Sequence, residues 1–142
     1  MNYILVVDDH VDIRRLLSIT LGQHFEVLEA EDGASALQAI RRYHPRVVLL
    51  DVMMPGEFDG LQVLCAIKAD PATRDTRVAL LTGRGRESDR EEAQQHGADA
   101  YFIKPFSPLQ VIRWVRENAG GEVYNPATLD RVSDLQLEMG NA

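Results

Sequence analysis

A single cysteine, Cys65, excludes any disulfide within the chain. Runs of apolar residues stop at strand length, well short of the ~20 residues that a membrane-crossing helix requires. The amino terminus has neither the basic start nor the apolar stretch of a secretory signal. These three absences are read together as a reduced, cytoplasmic setting with no membrane partner. Basic residues are also in deficit: 15 Lys and Arg against 22 Asp and Glu leave a net charge of −7. That balance favours solubility and argues against direct nucleic-acid binding, which usually needs a basic patch.

What is present is enough for one domain with a real core. Of the 142 residues, 45% are hydrophobic and 26% charged, the balance of a folded globular chain. Strand-like and helix-like segments alternate five times. Continuous apolar runs near residues 3–7, 47–50, 78–81 and 100–103 predict parallel strands covered on both faces. Phe25-Glu26-Val27-Leu28-Glu29 is interrupted by charge and predicts an edge strand. Between the strands, helical spacing groups Ile13, Leu16, Leu17 and Thr20, then Gly33, Ala36, Leu37 and Ile40, then Leu61, Leu64, Ile67 and Lys68. A fourth helix, Glu87 to His96, has Ala93 as its only apolar residue. It reads either as a weakly held, movable element or as a plain solvated helix. The fifth runs from about Ser107 to Asn118. Alternation of this kind predicts right-handed βαβ units and an α/β fold with a doubly wound parallel sheet.

Ala119-Gly120-Gly121 ends the alternation, giving a domain over residues 1–120 and a tail or linker over 121–142. Leu129, Val132 and Leu135 recur at helical spacing in that tail, so part of it is expected to be helical. It would dock on the domain, join a partner or lead into a further module.

Polar residues terminate the buried runs. Asp8-Asp9 follow Tyr3–Val7, Asp51 follows Val47–Leu50, Thr82 follows Val78–Leu81, and Lys104-Pro105 follow Tyr101–Ile103. Singly, each has an ordinary reading: Asp9 as a helix cap, Asp51 as a turn residue ahead of Pro55-Gly56, Thr82-Gly83 as a strand exit, Lys104 as a surface lysine. Together they sit at strand ends that meet at one crevice, where ligands of open α/β sheets bind. Three carboxylates held close repel unless a cation joins them, and Mg²⁺ favours such oxygen ligands. Lys104 adds a point charge and Thr82 a hydroxyl for phosphoryl oxygens. The set suits metal-assisted phosphoryl transfer.

The sequence resembles the receiver domain of two-component response regulators over residues 2–118. The motifs are Val6-Val7-Asp8-Asp9, Asp32-Gly33 with Ala36-Leu37, Asp51-Val52-Met53-Met54-Pro55, Thr82-Gly83, Gly97-Ala98-Asp99 and Lys104-Pro105-Phe106. The resemblance implies a five-stranded flavodoxin-like sheet of order 2-1-3-4-5. It implies that Asp51 accepts a phosphoryl group from a phosphohistidine on a sensor histidine kinase or a histidine phosphotransfer protein. Mg²⁺, with Mn²⁺ as a substitute, would be held by Asp9, Asp51 and the Met53 backbone carbonyl, and by Asp8 mainly through water. Lys104 and Thr82 would bind the phosphoryl group, and the Lys104-Pro105 peptide would be cis. Thr82 and Tyr101 would form a switch that alters the surface of helix 4, strand 5 and helix 5 for a downstream protein or output module. Tyr101 also reads simply as an edge-strand aromatic on the core. A protein of this kind is a phosphoacceptor with weak self-phosphorylation and self-dephosphorylation, not a turnover enzyme. Met53 and Arg84, two residues after Asp51 and Thr82, are expected to tune hydrolysis of the acyl phosphate, prolonging it.

Three departures qualify the resemblance. The Pro55–Gly60 segment is one residue longer than usual. Ala100 and Trp114 stand where many DNA-binding members carry an aspartate and an arginine. A phosphorylation-dependent dimer remains compatible, but the dimer of that subfamily is not implied. Trp114 is expected to pack at the border of the core. Two other readings stay open: a Mg²⁺-dependent aspartyl-phosphate phosphatase, disfavoured because such enzymes typically carry two aspartates one residue apart whereas Asp8 and Asp9 are adjacent and position 10 is His10, and the receiver part of a transcription factor whose output domain is missing from this chain.

Overall fold

Alternation within the buried strands divides the core in two. The structure, a computed structural model, describes residues 3–83 and 87–119. Its strands are β1 (Tyr3–Val7), β2 (Glu26–Ala30), β3 (Val47–Asp51), β4 (Arg77–Thr82) and β5 (Ala100–Ile103). Its helices are α1 (Val11–Leu21), α2 (Gly33–Tyr43), α3 (Gly60–Ala69), α4 (Glu87–Gln95) and α5 (Pro108–Asn118). Leu5, Val7, Val48, Leu50, Val78 and Leu80 face one side of the sheet, where α2, α3 and Ala93 of α4 cover them. Ile4, Val6, Val47, Leu49, Ala79 and Leu81 face the other, under α1 and α5. Successive side chains of a strand point to opposite faces, so runs buried at every position require helices on both.

The five strands are parallel, in the order β2-β1-β3-β4-β5. Both β2 and β3 flank β1, so the chain winds away from β1 in opposite directions. The crevice this opens lies past the carboxyl ends of β1 and β3. Asp8 and Asp51 are the residues there.

Local chemistry fixes the helix starts. Asp32 and Ser35 form a reciprocal capping box at α2, and Asp59 and Gln62 another at α3. Ser107 caps α5, with Pro108 inside its first turn. Gly97, at φ 94°, supplies the left-handed turn out of α4, and Asp99 then accepts from the Val78 N–H, Lys68 Nζ and Arg77. That gives the Gly97-Ala98-Asp99 motif its physical role.

Several sequence expectations need correction. On α1 the buried stripe is Leu17 and Leu21 with Ile13 packed beside them; Leu16 is 44% exposed, and the Thr20 hydroxyl turns back to the Leu16 carbonyl. The i, i+4 line through residues 13, 17 and 21 follows the core, and Leu16 lies a full 100° around the helix from Leu17. Asp9 does not cap α1: His10 holds that position without a side-chain cap bond. On α3, Val63 is buried with Leu64 and Ile67, whereas Leu61 is only partly covered. The edge strand β2 is offset by one residue from the expected 25–29; Phe25 packs on the core from outside it. Trp114 lies partly buried, edge-on to Phe102 with ring centroids 6.3 Å apart. The tail over 121–142, including Leu129, Val132 and Leu135, lies outside the described residues. Among those described, no helix is long and apolar enough to cross a membrane.

Candidate functional site

The turn after β1 carries the first two carboxylates. Asp8 is fully buried and locked by its neighbours. Its Oδ1 accepts the His10 N–H at 2.8 Å, its Oδ2 accepts Lys104 Nζ at 2.8 Å, and its carbonyl accepts from Arg14 at 2.7 Å. Arg14 is itself paired with Glu29 on β2 at 3.3 Å, which ties α1 and the edge strand to the acidic turn. Asp9 sits at the rim, with its Oδ1 3.2 Å from His10 Nδ1.

Asp51 ends β3 and is 2% exposed. Its Oδ1 accepts the Met53 N–H at 3.3 Å and lies 3.4 Å from Lys104 Nζ. Its Oδ2 is buried and has no hydrogen-bond partner among the described residues. Sheet register supplies the rest: Asp51 is level with Leu81, Thr82 with Ile103, and the Lys104 N–H donates to the Thr82 carbonyl at 2.7 Å. Thr82, fully buried, and Lys104 therefore arrive side by side at the crevice. The Lys104-Pro105 peptide is cis.

Burial raises the Asp51 pKa from 3.8 to about 6; the negative charge of Asp8 and the neighbouring Asp9 carboxyl push it the same way, while Lys104 and the Met53 N–H oppose. A folded-state pKa above the unfolded one means that protonation stabilises the fold. That stability is fully present below pH 3.8 and is lost as the pH rises through about 6. We expect the metal-free protein to be more stable at pH 5 than at pH 7 through this group, by on the order of 1–2 kcal/mol at 1.36 kcal/mol per pKa unit. Urea unfolding of wild type and Asp51→Asn at both pH values is the check. The variant should lack this component, and equal pH responses would contradict the assignment.

Asp8, Asp9, His10 and Asp51 each present a ligand atom within 4.8 Å of the others. With a buried, unpartnered carboxylate oxygen among them, the donor set fits a hard divalent cation. His10 and Arg14 are the members that sequence reasoning left without a role. His10 entered only as the residue standing where a phosphatase would carry its second aspartate; its position directly after two aspartates was the available signal. Arg14 has none, since an arginine on a surface helix looks like ordinary solvated charge.

The remaining candidates lie around this centre. Met53 is 55% exposed at the start of the loop to α3. In that loop Gly56 takes φ 99°, and Phe58 packs against the α2–α3 side of the core. Tyr101 is partly buried, with the Arg90 guanidinium 5.6 Å from its ring centroid. It borders an outer pocket of about 200 Å³ against α4 and, with Thr82, Val52 and Asp89, an inner hollow of about 10 Å³. Arg84 lies outside the described residues.

Comparison with known proteins gives a consistent result. The model of the response regulator receiver domain matches residues 4–116. The phosphate regulon transcriptional regulatory protein PhoB of Escherichia coli (strain K12) is 38% identical over 134 residues, 94% of this chain and 57% of that protein. The transcriptional regulatory protein SrrA of Staphylococcus aureus (strain NCTC 8325 / PS 47) is 35% identical over 147 aligned positions, 99% of this chain and 59% of that one. The chain thus spans a little over half the length of these relatives. Among solved structures, the Vibrio cholerae chemotaxis protein CheY4 superposes with a TM-score of 0.76 at 28% identity, over 83% of this chain and 98% of that one. The beryllofluoride-activated DrrB receiver domain gives 0.75 at 32% identity, over 82% and 96%.

Proposed function

This chain belongs to the response regulator receiver domain family, and on that premise we propose that it is a phosphorylation switch with Asp51 as phosphoacceptor. The observation that carries the proposal is the buried, unpartnered Oδ2 of Asp51 beside Lys104, at the crevice between β1 and β3.

Asp51 attacks the phosphorus of a phosphohistidine on a histidine kinase or phosphotransfer protein. The new O–P bond forms as the N–P bond breaks, and the imidazole departs with the bonding pair. Asp9, Asp51, the Met53 carbonyl and, through water, Asp8 would hold Mg²⁺ or Mn²⁺. When bound, that ion neutralises charge on the phosphoryl oxygens. Lys104, shared in the resting state by Asp8 and Asp51, turns to the phosphoryl group, and the Thr82 hydroxyl donates to it. Orientation and electrostatics suffice, so the domain needs no turnover chemistry of its own.

Signal output follows from Thr82 moving toward the phosphoryl group. Tyr101 and Thr82 line the same inner hollow, so movement of Thr82 toward the phosphoryl group leaves space that Tyr101 can occupy. The α4–β5–α5 surface then changes for a downstream protein or output module, a shift between populations. Residues 1–120 are the switching unit and 121–142 a tail. Only Ala93 of α4 is buried, so this is the helix least anchored by the core. Beryllofluoride with Mg²⁺ should alter amide exchange in α4 and β5 more than in α1 and α2. Changes confined to the loops around Asp51 would contradict the switch.

Phosphoryl lifetime is set beside the acceptor. The Met53 side chain is apolar and offers no acceptor to orient an attacking water, and a guanidinium at Arg84 has none either. The double variant Met53→Asn/Arg84→Glu should lose its phosphoryl group severalfold faster than wild type, followed by intact mass after donor removal. Equal or slower decay would contradict these roles.

A further inference from the structure

We propose that His10 is a metal ligand, which gives this site a nitrogen donor and a preference for late first-row divalent ions such as Ni²⁺ or Zn²⁺ over Mg²⁺. The inference rests on the reading of Asp8, Asp9 and Asp51 as metal-binding carboxylates.

Distances come first. His10 Nδ1 lies 3.1 Å from Asp8 Oδ1 and 3.2 Å from Asp9 Oδ1. Two donors bound to one ion at about 2.1 Å stand about 3.0 Å apart at a right angle and about 3.4 Å apart at a tetrahedral angle. His10 Nδ1 therefore already stands from each carboxylate oxygen as one donor stands from another in a shared coordination shell. An oxygen or nitrogen of all four residues falls within 4.8 Å of the others, so Asp51 belongs to the same cluster.

Independent of those spacings, Asp51 is almost completely buried and its Oδ2 has no hydrogen-bond partner among the described residues. A carboxylate oxygen in that condition is short of a donor or a cation. Charge points the same way. Three ionised carboxylates against the single Lys104 ammonium leave two negative charges, which a divalent ion balances.

His10 occupies the N-cap position of α1 without a side-chain cap bond, and its Nδ1 instead stands in hydrogen-bond reach of Asp8 Oδ1 and Asp9 Oδ1, contacts that a bound ion would replace. Its ring is 65% exposed and Asp9 is at the rim, so an ion reaches the cluster from solvent without moving the sheet. Asp8 keeps Oδ2 on Lys104, and its Oδ1, which accepts the His10 N–H, has a second lone pair for an ion on the side of the His10 ring. Oxygen-only sites suit Mg²⁺; an imidazole shifts the preference along the series toward Co²⁺, Ni²⁺ and Zn²⁺. Such an ion takes the carboxylates that Mg²⁺ uses, so the two compete.

The test is calorimetry of the full chain with Ni²⁺ and with Mg²⁺. It uses a His96→Ala background, because Cys65 Sγ and His96 Nδ1 lie 3.5 Å apart and are a second place for a late metal. Ni²⁺ should bind at least about tenfold tighter than Mg²⁺, a difference of about 1.4 kcal/mol. His10→Ala, and His10→Asp, which keeps a ligand but makes it oxygen, should each lower that ratio by at least about fivefold, to the residual preference of an oxygen-only site. Paramagnetic broadening by substoichiometric Ni²⁺ should strike the His10 imidazole signals first. A Ni²⁺ to Mg²⁺ ratio unchanged in both variants overturns the proposal while leaving the carboxylate reading intact. Ni²⁺ binding that depends on His10 in a protein that fails to bind Mg²⁺ would uphold it and overturn that reading instead.

Discussion

Gly60→Ala should lower the stability of the protein by about 3 kcal/mol or more, in the upper range for overpacking a closed site. Gly60 opens α3 directly against the end of β3. A methyl group there would run into the Asp51 carbonyl oxygen, and would stand 2.7 Å from the Val52 Cα and 3.0 Å from the Asp51 carbonyl carbon. All three are backbone atoms, which cannot rotate aside as a side chain does. Two opposing effects have to be weighed. Alanine is favoured over glycine in a helix by roughly 1 kcal/mol. The clash outweighs it, because Gly60 N–H also donates to the Val52 carbonyl at 3.0 Å and relieving the contact would break that bond. Gly83→Ala is the control: an added methyl there meets nothing within 4 Å, and the change should stay within about 0.5 kcal/mol. Denaturant midpoints for the two variants are the measurement. A Gly60→Ala midpoint equal to that of wild type would mean that the strand end yields where it is described as rigid.

The same glycine shows how far the chain could be read in advance. Continuous apolar runs can be buried only between two layers, so β1, β3 and β4 and the doubly wound architecture were legible. So was the crevice, because Asp8, Asp51, Thr82 and Lys104 each end such a run, and topology then brings those ends together. What was not legible depends on approach between distant segments. Nothing local marks Gly60 as the point where α3 touches β3. Leu16 and Leu17 are equivalent by composition, and only the tilt of α1 on the sheet chooses Leu17. Arg14 reaches the Asp8 carbonyl because α1 folds back over β2, a contact without a local pattern. His10 was visible as a residue but not as a neighbour of two carboxylates, since the turn that folds its ring over them forms only once Asp8 takes its backbone N–H.

Asp51→Asn should abolish phosphorylation entirely, the largest effect expected of any substitution here. The argument turns on which carboxylate oxygen is available. Asp8 has Oδ1 committed to the His10 N–H and Oδ2 to Lys104. Asp9 sits at the solvent-facing rim, with its Oδ1 3.2 Å from His10 Nδ1. Asp51 alone among the three combines burial, a nearby ammonium and an uncommitted oxygen. An asparagine keeps the shape but presents a neutral amide, which is not a nucleophile of comparable strength and lacks the charge that helps to hold a cation. The direct measurement is intact mass after incubation with acetyl phosphate and Mg²⁺. Wild type should gain one phosphoryl group and lose the gain when Mg²⁺ is chelated beforehand, and Asp51→Asn should gain none. A phosphoryl group taken up by Asp51→Asn to the same stoichiometry as wild type would contradict the account.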